Sequence, residues 1–140
     1  NNNKKKSFYY QVLLGCIFSL FIFTYLLPNL DKVWVSNKIY DVIKKDNILF
    51  KPEKIASLGY NEPSLVFSLG TDIKILKNLS QLSFEKNLYN YIIIEKKYLF
   101  EFNRIVKKSS YEYNLLEEVK GFNMAKNKWV NSFIFKLKEK

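Results

Sequence analysis

Histidine is missing from this 140-residue sequence, and cysteine, methionine, proline and glycine are scarce, at one, one, three and four residues. Without histidine there is no Ser-His or Cys-His nucleophilic pair and no His-ligated zinc site. A single Cys16 excludes a disulfide within the chain, and its place in an apolar run makes it a small hydrophobe. Arginine is nearly absent too: among 23 basic residues only Arg104 is one. A formal net charge of +10 therefore does not read as a nucleic-acid surface, because phosphate-gripping proteins favour the planar arginine fork over the point charge of lysine. Three of those charges sit together as Lys4-Lys5-Lys6. The wealth of Asn, Lys, Ile, Phe and Tyr matches residues with A/T-rich codons, so composition accounts for much of the rest. What remains for chemistry is carboxylates, lysine, or a metal held by oxygen ligands.

What the chain does have is one long apolar run, Phe8 to Leu27, whose plainly polar side chains are Gln11, Ser19 and Thr24. At about 1.5 Å per residue such a run reaches the roughly 30 Å of a bilayer's hydrocarbon core, where only a helix hides its own backbone polar groups. The reading is a basic flank at 1–6, a transmembrane helix at 7–30 and a single outer domain at 31–140. The lysine triplet keeps the N-terminal flank cytoplasmic, which puts the bulk of the chain on the outer side. A cleaved signal peptide would have a shorter apolar stretch and small residues at its end, but here the run closes on Tyr25-Leu26-Leu27-Pro28-Asn29. The start Asn1-Asn2-Asn3, with no initiator Met, suggests a segment of something longer or a trimmed start.

Beyond the run, Pro28 is expected to end the first helix, and Trp34 to sit at the membrane interface as an aromatic anchor. Ser36 caps a helix to about Lys45 that carries Ile39, Val42 and Ile43 on one face. Ile55 to Tyr60 reads as a buried strand, and Pro63 opens a short helix with Leu65, Val66, Phe67 and Leu69 that stops at Gly70. Asp72 to Leu76 is a second strand, and Ser80 or Ser83 opens a helix presenting Phe84 and Leu88. Tyr91 to Ile94, apolar on both faces, suits a covered parallel sheet. Tyr98, Leu99, Phe102, Ile105 and Val106 form a helical stripe. The tail is a hairpin, its turn reached through Gly121-Phe122-Asn123, with Trp129, Phe133, Phe135 and Leu137 on one face of its second strand. The expected fold class is α/β: one transmembrane helix, then a small domain with a mostly parallel sheet and a C-terminal antiparallel hairpin.

The most distinctive stretch is Ile55-Ala56-Ser57-Leu58-Gly59-Tyr60-Asn61-Glu62-Pro63-Ser64-Leu65-Val66-Phe67-Ser68-Leu69-Gly70-Thr71. It places Gly59, Tyr60, Glu62, Pro63 and Ser64 between the carboxyl end of a strand and the start of a helix, where ligands bind open α/β sheets. Helix starts attract anions, but Glu62 brings its own negative charge there. The bland account is that Glu62 stabilises the helix start by about 0.3–1 kcal/mol while Gly59 and Pro63 serve the turn. Glu62 with Asp72 makes a poor metal pair, and Glu117-Glu118 on a hairpin is expected to face solvent. No catalytic residue, metal or cofactor is assigned.

That stretch resembles the G-Y-x-E-P-S-L-V-F-x-L-G-T segment of bacterial membrane glycosyltransferases of the aminoarabinose transferase and protein mannosyltransferase type. Val119-Lys120-Gly121-Phe122-Asn123-Met124-Ala125-Lys126-Asn127-Lys128 is similar to their G-F-N-Y-S-x-G turn, with Met124 in place of Tyr, Ala125 of Ser and Asn127 of Gly. The resemblance implies the last span and periplasmic domain of an inner-membrane enzyme that moves a sugar from an undecaprenyl-phosphate donor to lipid A or another envelope acceptor. It marks Gly121, Phe122 and Asn123, beside the first segment, as residues near a ligand. The family's catalytic acid and donor pocket lie in a multi-span portion to which nothing here corresponds, so the chain is expected to be inactive alone, the tail of a full enzyme or a remnant of a split gene. The partners implied are the lipid bilayer, the lipid-linked sugar and that multi-span portion, and no nucleic acid. The alternative is a single-span envelope protein whose outer domain binds a partner.

Overall fold

The structure, a computed structural model, describes residues 2–30, 34–82, 88–109, 111–123 and 125–139. The chain divides into two compact units, Asn1–Val33 and Trp34–Lys140.

The first unit is helical throughout its described length. Helix α1 (Asn2–Phe21) passes through a π-helical turn (Ile22–Leu26) into α2 (Leu27–Leu30). The stretch Lys5–Asn29, 25 residues whose most apolar part has a mean hydropathy of 2.0, is long and apolar enough to cross a membrane. Pro28 does not end the helix as expected; it lies inside α2. The π-turn just before it is the reason. Proline lacks an N–H and its ring crowds the carbonyl four residues back, and a wider turn relieves that crowding. Within the turn the Leu27 N–H donates to the Ile22 carbonyl, five residues back. The Thr24 hydroxyl donates to the Leu20 carbonyl at 2.7 Å and the Asn29 amide to the Tyr25 carbonyl at 2.6 Å.

The second unit is an α/β domain built on a mixed five-stranded sheet. Its elements are α3 (Val35–Asp46), β1 (Ile55–Leu58), α4 (Pro63–Leu69), β2 (Lys74–Leu76), β3 (Tyr91–Glu95), α5 (Leu99–Val106), β4 (Tyr111–Asn123) and β5 (Lys128–Glu139). The strand order is β2-β1-β3-β5-β4. β1 runs parallel to both neighbours, β3 and β5 are antiparallel, and β4 and β5 form the hairpin. Every residue of β1 and β3 is buried, as two covered faces require.

The two faces follow from strand alternation. Ile55, Tyr91, Ile93 and Ile134 meet Val35, Ile39 and Ile43 of α3 and Leu65 and Leu69 of α4. On the opposite face Ala56, Leu58, Ile92, Ile94 and Phe135 meet Phe102 and Val106 of α5, with Leu76, Leu79 and Leu82. A bulge between Leu115 and Glu117 shifts the register of β4, so Leu115 and Val119 end on opposite faces.

Several expectations need correction. Trp34, not Ser36, occupies the N-cap position of α3, and Ser36 is a buried residue of its first turn. Phe67 is 89% exposed, because only Leu65 and Leu69 of α4 turn fully inward. Trp129 is 71% exposed, although Phe135 on the same face is buried. The second strand begins at Lys74 rather than Asp72, which lies in a turn. A short 3-10 turn (Leu79–Gln81) stands near Ser80; Ser83 and Phe84 of the expected helix lie outside the described residues.

Candidate functional site

Glu62 is the centre of the polar chemistry at the carboxyl end of β1. Leu58 ends the strand, and Gly59 turns the chain with φ +89°. That glycine is required twice over. Its φ belongs to the left-handed half of backbone space, and a Cβ there would stand 2.8 Å from the Tyr98 ring and 2.9 Å from Glu95 Cβ. Pro63 then takes the first position of α4, where no N–H is needed.

Between these two fixed points Tyr60 and Glu62 turn inward, at 0% and 6% exposure. The Tyr60 hydroxyl donates to Glu62 Oε2 at 2.6 Å, and the Ser64 hydroxyl donates to the same oxygen at 3.1 Å. Ser36 of α3 joins both hydroxyls, at 2.8 Å to Tyr60 and 2.7 Å to Ser64. The Ser57 hydroxyl donates to the Tyr60 carbonyl. Burial, and next the hydrogen bond to the Glu62 carboxylate, push the Tyr60 phenol well above its ordinary value. Tyr60 is therefore a neutral donor. Glu62 stands at the N-cap position of α4, as the helix-end reading has it, but makes no side-chain cap hydrogen bond; its carboxylate is engaged by the two hydroxyls and the hairpin turn.

The hairpin turn closes the other side. The Ala125 N–H donates to Glu62 Oε1 at 3.3 Å, and the Lys126 ammonium donates to the Gly59 carbonyl at 2.8 Å. Lys126 is oriented by its own N–H, which donates to Asn123 Oδ1 at 2.7 Å. Its ammonium also lies 3.6 Å from Glu95, a carboxylate 5% exposed at the end of β3, with Lys128 at 3.4 Å and Lys97 at 3.8 Å. Register puts Ser132 opposite Glu95. Among the described residues the buried polar and charged side chains are Ser36, Ser57, Glu62, Glu95, Asn123 and Ser132. All belong to this one end of one sheet face. Asn123 Nδ2 and Ser132 Oγ have no hydrogen-bond partner among the described residues.

A cleft of about 400 Å³ opens beside this network, lined by Trp34, Glu62, Pro63, Ser64 and Ala125. Its wall is mostly apolar, an indole, a proline ring and a methyl group, with one hydroxyl and one carboxylate among them.

The structure thus joins the two stretches that the sequence singles out. Gly59, Tyr60, Glu62, Pro63 and Ser64 lie at the cleft or directly behind it. Asn123 holds the turn that reaches Glu62, and Gly121 is buried within β4 opposite Val130. Phe122 departs from this group: its ring packs edge-on against Trp129 at 5.8 Å, on the other side of the strand. Asn127 has φ 48°, a conformation that asparagine tolerates better than most residues other than glycine. Glu117 and Glu118 are exposed on β4, and Glu118 meets Asn131 and Lys120. No group of three metal-ligating side chains occurs among the described residues.

Trp34, Ser36 and Glu95 are members of this region that sequence reasoning did not bring to it, and Ala125 and Lys126 belong to the second stretch without being among its expected site residues. Glu95 had a signal: it ends an apolar strand at the same sheet edge as Gly59, where ligands gather. Ala125 acts through its backbone N–H, which no side-chain pattern reveals.

Fold and site together define an α/β domain with a largely apolar cleft, beside a buried polar network, at the carboxyl edge of its parallel strands, in a chain that also carries a helix able to span a membrane. No protein-family model, curated protein or solved structure matches the chain.

Proposed function

We propose that this chain is the terminal module of a membrane glycosyltransferase that uses a polyprenyl-phosphate-linked sugar and modifies lipid A or another envelope acceptor. In this reading it supplies a binding wall and not the reacting groups. The observation that carries the proposal is the hydrogen bond from Ala125 to Glu62. It ties together, 63 positions apart, the two segments that resemble the family's motifs, and it does so at the edge of a cleft. The φ of 48° at Asn127 supports the same reading, since the similar turn has glycine there and a left-handed residue is what that position needs. The cleft's mixture of indole, hydroxyl and carboxylate suits a sugar, whose ring faces are apolar and whose rim is made of hydroxyls.

The test is transfer of a radiolabelled sugar from a polyprenyl-phosphate donor in membranes that hold this chain with or without the multi-span portion. Transfer is expected only when both are present. Transfer by this chain alone would overturn the division of labour, and undiminished transfer without this chain would overturn its part in the enzyme.

A further inference from the structure

We infer that the turn end of the β4–β5 hairpin, with Trp129, Phe122 and Trp34, docks on the phospholipid surface of the membrane that the N-terminal helix crosses. This inference rests on the apolar helix and not on the glycosyltransferase reading. Trp129 is among the largest exposed apolar side chains of the domain, and it stands beside Phe122, 5.8 Å between ring centres. Phe122 in turn bridges to Trp34 through the backbone, in a parallel pair outside the main sheet. Two tryptophans and a phenylalanine therefore share one end of the domain, and they are the only two tryptophans in the sequence. Lysines rim this end. Lys120, 3.5 Å from Glu118, and Lys128, 3.4 Å from Glu95, keep side chains 64% and 49% exposed beyond these ion pairs, and Lys38 reaches the Lys120 carbonyl at 2.9 Å.

Indole rings with flanking lysines are what a membrane interface collects: the ring settles at headgroup depth and the ammonium meets lipid phosphate. Chain length supplies the proximity. Trp34 follows Leu30, the last residue of α2, by four positions, which spans at most about 15 Å. A helix that crosses the bilayer thus leaves Trp34 within reach of the headgroup layer, and the Phe122 bridge takes the hairpin end with it. The occupant is the bilayer surface, because the tether delivers it and the lysines complement it.

The full chain, reconstituted in phosphatidylethanolamine–phosphatidylglycerol vesicles, tests this by tryptophan fluorescence. In Trp34→Phe the emission reports Trp129 alone. With lipids brominated near the headgroup end of the acyl chain, we expect a blue-shifted emission that loses at least half its intensity. A water-like, unquenched emission would overturn the inference. So would a blue-shifted emission that bromine does not quench, which would mean that protein covers the patch. Wild-type chain gives a check free of substitution, since emission from both tryptophans left more than half unquenched overturns it equally.

Discussion

A carboxylate that is 6% exposed and accepts hydrogen bonds from two hydroxyls and one backbone N–H is set in place by its neighbours. Glu62→Gln removes the charge and half of the acceptor capacity, leaving either the Tyr60 and Ser64 hydroxyls or the Ala125 N–H facing an amide donor. We expect a loss of about 1–3 kcal/mol in denaturant unfolding, the scale of a buried polar group left unmatched, rather than the few tenths of a helix-end charge. An unchanged denaturation midpoint would show that the network adds little. A second carboxylate gives a pH signature. Asp46 accepts hydrogen bonds from Lys136 at 2.8 Å and from Tyr91. The Lys136 hydrogen bond first, then that of Tyr91, hold its pKa below the ordinary 3.8. A pKa lowered in the folded state contributes stability above the unfolded value and loses it as pH falls through the folded one. Melting curves of wild type and Asp46→Asn should therefore differ most at neutral pH and converge as pH drops below about 4. A constant gap across that range would remove Asp46 from the acid response.

Helix α4 shows at the scale of an element what alternation and period can and cannot reveal. Its seven residues are bounded by Pro63 and Gly70, and both ends are plain in the sequence. Which side chains face inward is not, because the two polar residues, Ser64 and Ser68, are themselves half-buried against α3 and do not mark the exposed side. Leu65 is 0% exposed and Phe67 is 89% exposed, so Leu65→Ala should cost about 2–5 kcal/mol and Phe67→Ala less than about 0.5 kcal/mol. Equal losses would mean that Phe67 is covered by something else. Strands β1 and β3, the stripe of α5 and the hairpin were legible for a stronger reason: long apolar periodicity fixes an element's type. The Gly59–Ser64 turn was legible as a sheet-edge site because glycine and proline mark where the chain changes direction. Ser36 and Ala125 were not. One is a short polar residue on a buried helix face, the other a backbone donor 63 positions from its acceptor, and only the tertiary fold brings either to Glu62. Trp129 misled because its position in the alternating strand is right, while α5 covers Phe135 and leaves the hairpin end bare.

At the scale of the whole molecule, helix α3 is fastened to the sheet at both ends by polar contacts with an apolar stripe between them. Ser36 meets Tyr60 and Ser64 near its start, and Asp46 meets Tyr91 and Lys136 at its last residue. This double fastening makes α3 and the sheet one body within the second unit. For an apolar helix that crosses a membrane, the side taken by the domain is decided by charge next to the span. Lys4, Lys5 and Lys6 precede the apolar run, while the residues just after it, Asp31 and Lys32, cancel. Positive residues near a span are retained in the cytoplasm, so the domain is expected on the outer face. Alkaline phosphatase fused after Lys140 should be active, and a reporter that works only in the cytoplasm should be silent at the same site. Replacing Lys4–Lys6 with glutamine should weaken that bias, because it removes the asymmetry and leaves the apolar length untouched. A cytoplasmic reporter active in the wild-type fusion would reverse the expected orientation.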